Sequence, residues 1–130
     1  MIILHSHKAR DLANALSLRF EPPQQDIDGA SYLALFQTFA DYPVPFVLYS
    51  DLRGFQLDHA GEVAQNRVAK ATRAAVSQKM RGLIMVTDTP TEKKRQAFAN
   101  FWSIPVQVYD QADQAEAAFW QLYEKVMANG

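Results

Sequence analysis

Apolar and polar residues alternate along this chain with two different periods, and the changes of period divide it into elements. Met1-Ile2-Ile3-Leu4-His5 reads as a short first strand. In Ala15-Leu16-Ser17-Leu18-Arg19-Phe20, Leu16, Leu18 and Phe20 share one face and Ser17 and Arg19 the other. That period of two predicts a strand with one wetter face, which Pro22-Pro23 stops. From Gly29 to Ala40 the period lengthens, with Leu33, Phe36 and Ala40 at helical spacing and Asp28 as N-cap. Pro43 and Pro45 bracket the approach to a strand that ends at Ser50.

The second half repeats the alternation. From Ala60 to Lys79, the recurrence of Ala64, Val68, Ala71 and Ala75 predicts a long helix with a narrow inner stripe of small residues, closed by Gly82. Leu83-Ile84-Met85-Val86-Thr87 is a continuous apolar run, as expected of a strand buried on both faces. A helix from about Pro90 to Trp102, capped by Thr89 or Thr91, precedes a short strand at Val106-Gln107-Val108-Tyr109. A last helix from about Gln111 to Met127 carries an inner stripe of Ala115, Phe119, Leu122 and Val126. The order β-β-α-β-α-β-α-β-α predicts an α/β fold with a largely parallel or mixed sheet and crossover helices. No internal repeat, low-complexity tract or long linker interrupts it, so residues 1–130 read as one domain.

Composition narrows the class. Apolar residues make up 48% and charged residues 21% of the chain, ordinary values for a globular protein and unlike a disordered one. Thirteen basic against 14 acidic residues give a net charge of −1, so no nucleic-acid partner is expected, because such a partner calls for excess basic surface. The absence of cysteine excludes disulfides, thiol catalysis and cysteine-held metal, and it suits a cytoplasmic location. No window reaches the roughly 18 consecutive apolar residues of a membrane span, and the first residues do not read as a signal peptide. An integral membrane protein is therefore not expected.

The residues from Phe46 to Gly54, with the Asp51-Leu52-Arg53-Gly54-Phe55 turn and the long helix after it, resemble the SpoIIAA-like or STAS superfamily. Phe101-Trp102 before Ile104-Pro105-Val106, and the closing Ala115-Glu116-Ala117-Ala118-Phe119-Trp120 segment, are similar to the end of those proteins. The likeness runs from about Asn14 onward and is nearest to the bacterial STAS/SEC14-type branch. It implies a SpoIIAA-like mixed, mostly parallel sheet packed with helices, and binding of small apolar or lipid-like molecules. Anti-sigma-factor antagonists carry an Asp-Ser-Ser-Gly-like phosphoacceptor after the turn; here Asp58-His59-Ala60-Gly61 keeps the acid and the glycine without a hydroxyl.

Several residues carry candidate chemistry. Asp51 and Asp88 each end a strand at one edge of the expected sheet, where two carboxylates can hold Mg²⁺ and activate water. The plainer reading is that both cap turns. Asp58 and His59 open the long helix; an Asp-His pair can act as an acid-base catalyst, but no serine or cysteine nucleophile lies in that segment, and a helix-capping, surface histidine is the expected role. His5 and His7 lack a third ligand at local spacing and read as solvated. Arg67, Lys70 and Arg73 form a basic stripe, and Lys93-Lys94-Arg95 sits in the N-terminal half of its helix, where the helix dipole opposes it and an outside anion is hinted at. Phe98, Phe101 and Trp102, and Phe119, Trp120 and Tyr123, repeat one aromatic spacing; Trp102 and Trp120 are the candidates for an interface or a pocket mouth.

The expectation is thus a non-enzymatic domain that binds a small apolar ligand or a protein partner, as a homodimer, without cofactor, metal or catalytic residue. Its candidate contacts are Asp51, Arg53, Gly54, Asp58, His59, Gly61, Asp88, Trp102 and Trp120. The alternative is a small metal-dependent hydrolase using Asp51 and Asp88.

Overall fold

The computed structural model describes residues 1–7, 12 and 14–127; the remainder of the expected 1–130 domain lies outside the described residues. The elements follow the predicted order: β1 (Ile2–Ser6), β2 (Ala15–Phe20), α1 (Asp28–Ala40), β3 (Phe46–Asp51), α2 (His59–Lys79), β4 (Met80–Val86), α3 (Glu92–Trp102), β5 (Val106–Tyr109) and α4 (Ala112–Met127). The strands form one five-stranded sheet in the order β1-β2-β3-β4-β5. β1 runs antiparallel to β2, and β2 through β5 are parallel.

Sequential parallel order decides where the helices go. Each right-handed crossover adds its strand on the same side of the last, so α1, α2 and α3 share one face of the sheet. That face buries Leu16 and Leu18 of β2, Phe46 and Leu48 of β3 and Leu83 of β4 against Phe36, Phe39, Ala69, Val76 and Trp102. The opposite face buries Ala15, Val47, Tyr49, Ile84 and Val86 under α4 alone, through Ala115, Ala118, Phe119 and Leu122. Strand alternation sorts the two sets, since neighbouring side chains point to opposite faces.

Four local readings are corrected. Asp28 is not the N-cap: Ile27 takes that position, and the Asp28 carboxylate, only 3% exposed, accepts the backbone N–H of Gln25 at 2.8 Å and the Met1 ammonium at 3.2 Å. Gly82 does not close α2, which passes directly into β4 at Met80. The pairing of β3 and β4 slips by one residue between Phe46–Met80 and Val47–Gly82, a bulge. A Cβ on Gly82 would stand 2.8 Å from Leu122 Cδ2, so the glycine is what lets α4 lie close on the strand. The buried stripe of α2 is Ala69, Thr72 and Val76, with Ala71 and Ala75 exposed. Alanine misled the pattern because it is equally at home on a wet helix face. Finally, His7 is buried: its ring stacks on Phe119 at 4.9 Å, and Nε2 lies 2.8 Å from Glu116 Oε2. The acid lies 109 residues away, beyond any local spacing.

Phe119 is fully buried where α4 meets the sheet. Phe119→Ala is expected to cost about 3–5 kcal/mol, read from urea unfolding. The Gln25 N–H, reinforced by the Met1 ammonium and opposed by burial, holds the Asp28 carboxyl below its ordinary range. Because the folded value is depressed, its stabilisation is present above the unfolded value of about 3.9 and is lost as pH falls through the folded one. Urea midpoints from neutral to acid pH should show Asp28→Asn less stable than wild type at neutrality and converging on it in acid; parallel curves would remove the role assigned to this carboxylate.

Candidate functional site: a cavity beneath three helices

The three-helix face is incompletely filled. Of the 21 residues in α2, those buried are Ala69, Thr72 and Val76, and Thr72 turns its hydroxyl back to the Val68 carbonyl at 2.8 Å. Such short side chains leave space between this helix and the sheet, and Ala69 and Val76 line it. Between the layers lies a cavity of about 680 Å³, within the range of roughly 300–1,000 Å³ usual for small-molecule sites. Leu18, Leu48 and Leu83 face it from the strands, and Phe36, Ala69, Phe98 and Trp102 from the helices.

Its mouth is built by the turn after β3. Gly54 adopts φ +90°, a conformation costly for any residue with a Cβ. The turn sets the Phe55 ring among Phe20 and Tyr32, at 5.6 and 5.3 Å between centroids, where it lines the cavity. Gln24 and Gln56 exchange a pair of hydrogen bonds, Gln24 Nε2 donating to the Gln56 carbonyl (2.7 Å) and Gln56 N–H to Gln24 Oε1 (3.0 Å). The loops before α1 and α2 are thereby tied together. Arg53 grips both oxygens of Asp51, Nε to Oδ1 at 2.9 Å and Nη2 to Oδ2 at 2.8 Å, and also donates to the Asp110 carbonyl. Hydrogen bonding to Asp51 raises the guanidinium further above its ordinary value, and the nearby Asp88 charge adds to the effect. Arg19, Phe20, Asp51, Arg53, Gly54 and Asp88 line a second, polar cleft beside this mouth.

Polar and charged residues also line the cavity, among them Ser50, Arg53, Gln65, Lys70, Thr87 and Asp88. Ser50 is 8% exposed, faces the cavity, and makes no side-chain hydrogen bond to the described residues. Tyr32 accepts the Gln65 amide at 2.7 Å, and burial pushes its phenol up to about 12. Thr87 and Thr89 line the rim, and Lys94 Nζ donates to their hydroxyls at 3.1 and 2.7 Å.

The candidate residues are divided by this geometry. Asp51, Arg53, Gly54 and Asp88 gather at the mouth. Trp102, 6% exposed, belongs to the core and the cavity wall. Asp58 Oδ1 accepts the Gly61 N–H at 2.7 Å and caps α2, with His59 exposed as its first residue; none of the three lines the cavity. Trp120 lies on the opposite face, where its indole N–H donates to Glu116 Oε1 and its ring meets His7 edge-on. In the basic stripe, Lys70 borders the cavity, while Arg73 lies 4.8 Å over the Phe101 ring and donates to the Asn100 carbonyl. Among the described residues no group of three or more metal-ligating side chains converges, and no helix is long and apolar enough to cross a membrane.

Ser50, Lys94, Tyr32, Gln65 and Phe55 were not singled out as contacts from the sequence. Two had visible signals: a hydroxyl within the buried Phe46–Ser50 run, and a lysine placed against its helix dipole. Compared with protein-family profiles, curated proteins and solved structures, the chain finds no match.

Gly54→Ala should destabilise by about 1–2 kcal/mol through the left-handed backbone it must adopt. Asp51→Ala should cost no more than about 1 kcal/mol, as expected for an exposed ion pair. Equilibrium denaturation of both variants checks the contrast; equal costs would mean that the pair, not the turn, shapes the mouth.

Proposed function

We propose that this chain is a non-enzymatic, STAS-like ligand-binding domain that encloses a small apolar molecule between its sheet and α1–α3. The cavity is the observation that carries the reading. An apolar chamber of about 680 Å³ under a 130-residue fold is space that core packing would otherwise fill, and an apolar guest recovers the contacts its walls lack. The element order and the mixed sheet with one antiparallel edge strand agree with the fold that the STAS/SEC14 resemblance implies. A phospho-switch is not part of the proposal, since Asp58-His59-Ala60-Gly61 has no hydroxyl and Asp58 is engaged as a helix cap. Metal-dependent hydrolysis finds less support, because both Asp51 oxygens are held by Arg53.

Displacement of the neutral fluorophore N-phenyl-1-naphthylamine by linear primary alcohols tests the chamber. Affinity should rise roughly fourfold per added CH₂, the equivalent of about 0.8 kcal/mol, until the chamber is full. Ala69→Trp, on the cavity wall, should weaken binding at least tenfold, while Ala117→Trp, on the exposed side of α4, should not. Binding that ignores chain length, or is equally affected by both variants, would sink the proposal.

A further inference from the structure

We infer that the free edge of β1 is a self-association surface, on which a second copy of this chain lays its own β1 antiparallel about a two-fold axis at Leu4. The two sheets then become one. The inference is independent of the cavity, which lies under α1–α3.

β1 is the outermost strand and pairs on one side only, with β2. Met1 and Glu21 exchange both main-chain bonds, at 2.6 and 2.8 Å, and the His7 N–H donates to the Ala15 carbonyl at 2.8 Å. Antiparallel pairs alternate, so Met1, Ile3, His5 and His7 turn their peptide groups toward β2. Those of Ile2, Leu4 and Ser6 point out of the sheet. Among the described residues only the His5 ring reaches one of them, the Ser6 carbonyl, which keeps a second lone pair. Such an edge invites another strand unless charge, proline or a bulge guards it. Ile2-Ile3-Leu4-His5-Ser6 has no acid, lysine, arginine or proline, and its register with β2 is unbroken. The opposite edge is guarded: β5 is only four residues long, with Pro105 before it and Asp110 after it.

The edge is complementary to itself. Its outward residues are centred on Leu4, so self-pairing sets Leu4 opposite Leu4 and Ile2 opposite Ser6, each pair exchanging two N–H···O=C bonds. No charge opposes the approach, because the Met1 ammonium at the start of the strand is balanced by the Asp28 carboxylate at 3.2 Å. A two-fold axis perpendicular to the sheet keeps both α1 helices on one face, flank toward flank. α1 turns Gly29 toward Leu57, Tyr32 toward Gln65 and Phe36 toward Trp102, so Ser31, Ala34 and Thr38 lie on its other flank, nearer β1. From Gly29 to Ala40 the helix carries no charged residue, although Ala30, Ala34, Gln37 and Thr38 are exposed. A surface helix ordinarily carries charge on its outer face, and depletion of charge marks the core of an interface. An uncharged strand edge beside an uncharged helix flank is what a second copy presents in return.

Sedimentation equilibrium of the full chain should show a dimer at protein concentrations up to about 100 μM, since a strand-edge contact belongs with the smaller, weaker interfaces. Its association constant should change less than about twofold between roughly 0.05 and 0.5 M salt, because no ion pair forms across it. The chain has no cysteine, so single thiols report the register. Leu4→Cys places two Cα atoms about 5.5 Å apart, and mild oxidation should convert most of the protein to a covalent dimer. In Ile2→Cys and in Ser6→Cys each thiol stands about 13 Å along the strand from its own copy and should not cross-link. Ser6→Pro removes an outward N–H without touching the β2 ladder, and should weaken the dimer at least about tenfold with the far-ultraviolet circular dichroism unchanged. Ser6→Lys, which guards the edge with a charge, should do the same. A monomer at every concentration, steep salt dependence, cross-linking that does not favour Leu4→Cys, or a dimer that withstands both Ser6 variants overturns the inference.

Discussion

Everything in this structure follows from having to bury two central strands on both faces. Phe46–Tyr49 of β3 and Leu83–Ile84 of β4 are almost wholly excluded from water, and each strand sends alternate side chains into a different layer. A five-stranded sheet with such a centre needs cover on each side. The chain provides it unequally, with three crossover helices on one face and a single C-terminal helix on the other. The single helix is the tighter fit. Gly82 removes the Cβ that would meet Leu122, Phe119 is fully enclosed, and His7 is drawn down onto Phe119 from the first strand's end.

The looser fit on the other face is what leaves room for a function. α2 is the longest helix described, yet its buried positions are an alanine, a threonine and a valine. It leans on α1 and on the end of α3, where Ser77 donates to the Trp102 carbonyl, and spans the sheet without filling the space beneath. Sequential strand order has a second consequence. No reversal of direction occurs among the parallel strands, so no crevice opens between helices on opposite faces, the usual place for a ligand in open α/β sheets. The space lies inside the three-helix layer instead, with its mouth at the carboxyl ends of β3 and β4. The Asp51–Gly54 turn belongs to that mouth as architecture: Arg53 neutralises Asp51, and Gly54 turns Phe55 inward as wall.

Much of this was legible in the residues. β2 and β5 were read with their observed boundaries, and α2 and α4 within one residue, because period and breakers are local properties. The candidate site was legible only in part. Asp51, Arg53, Gly54 and Asp88 cluster as their strand-end positions imply, since parallel neighbours end at one edge. Trp102 and Trp120 share a spacing but not a fate: one is cavity wall, the other braces Glu116 and His7 on the far face. His7 was misread as solvated because its partner acid comes from the last helix, and no window along the chain joins them.

Local pattern was enough for the kind and order of the elements, and for the burial of the Leu83–Thr87 strand on both faces, because hydrophobic period and turn chemistry act over a few residues. The residue pattern also set Asp51 and Asp88 at strand ends on one edge of the sheet. Packing across the layers put Ser50 on the wall of a cavity between the sheet and α1–α3, and brought His7 onto Phe119. The depth of a cavity depends on how far one element stands from another, and that distance comes from side chains that are remote in sequence and settle only when the layers pack.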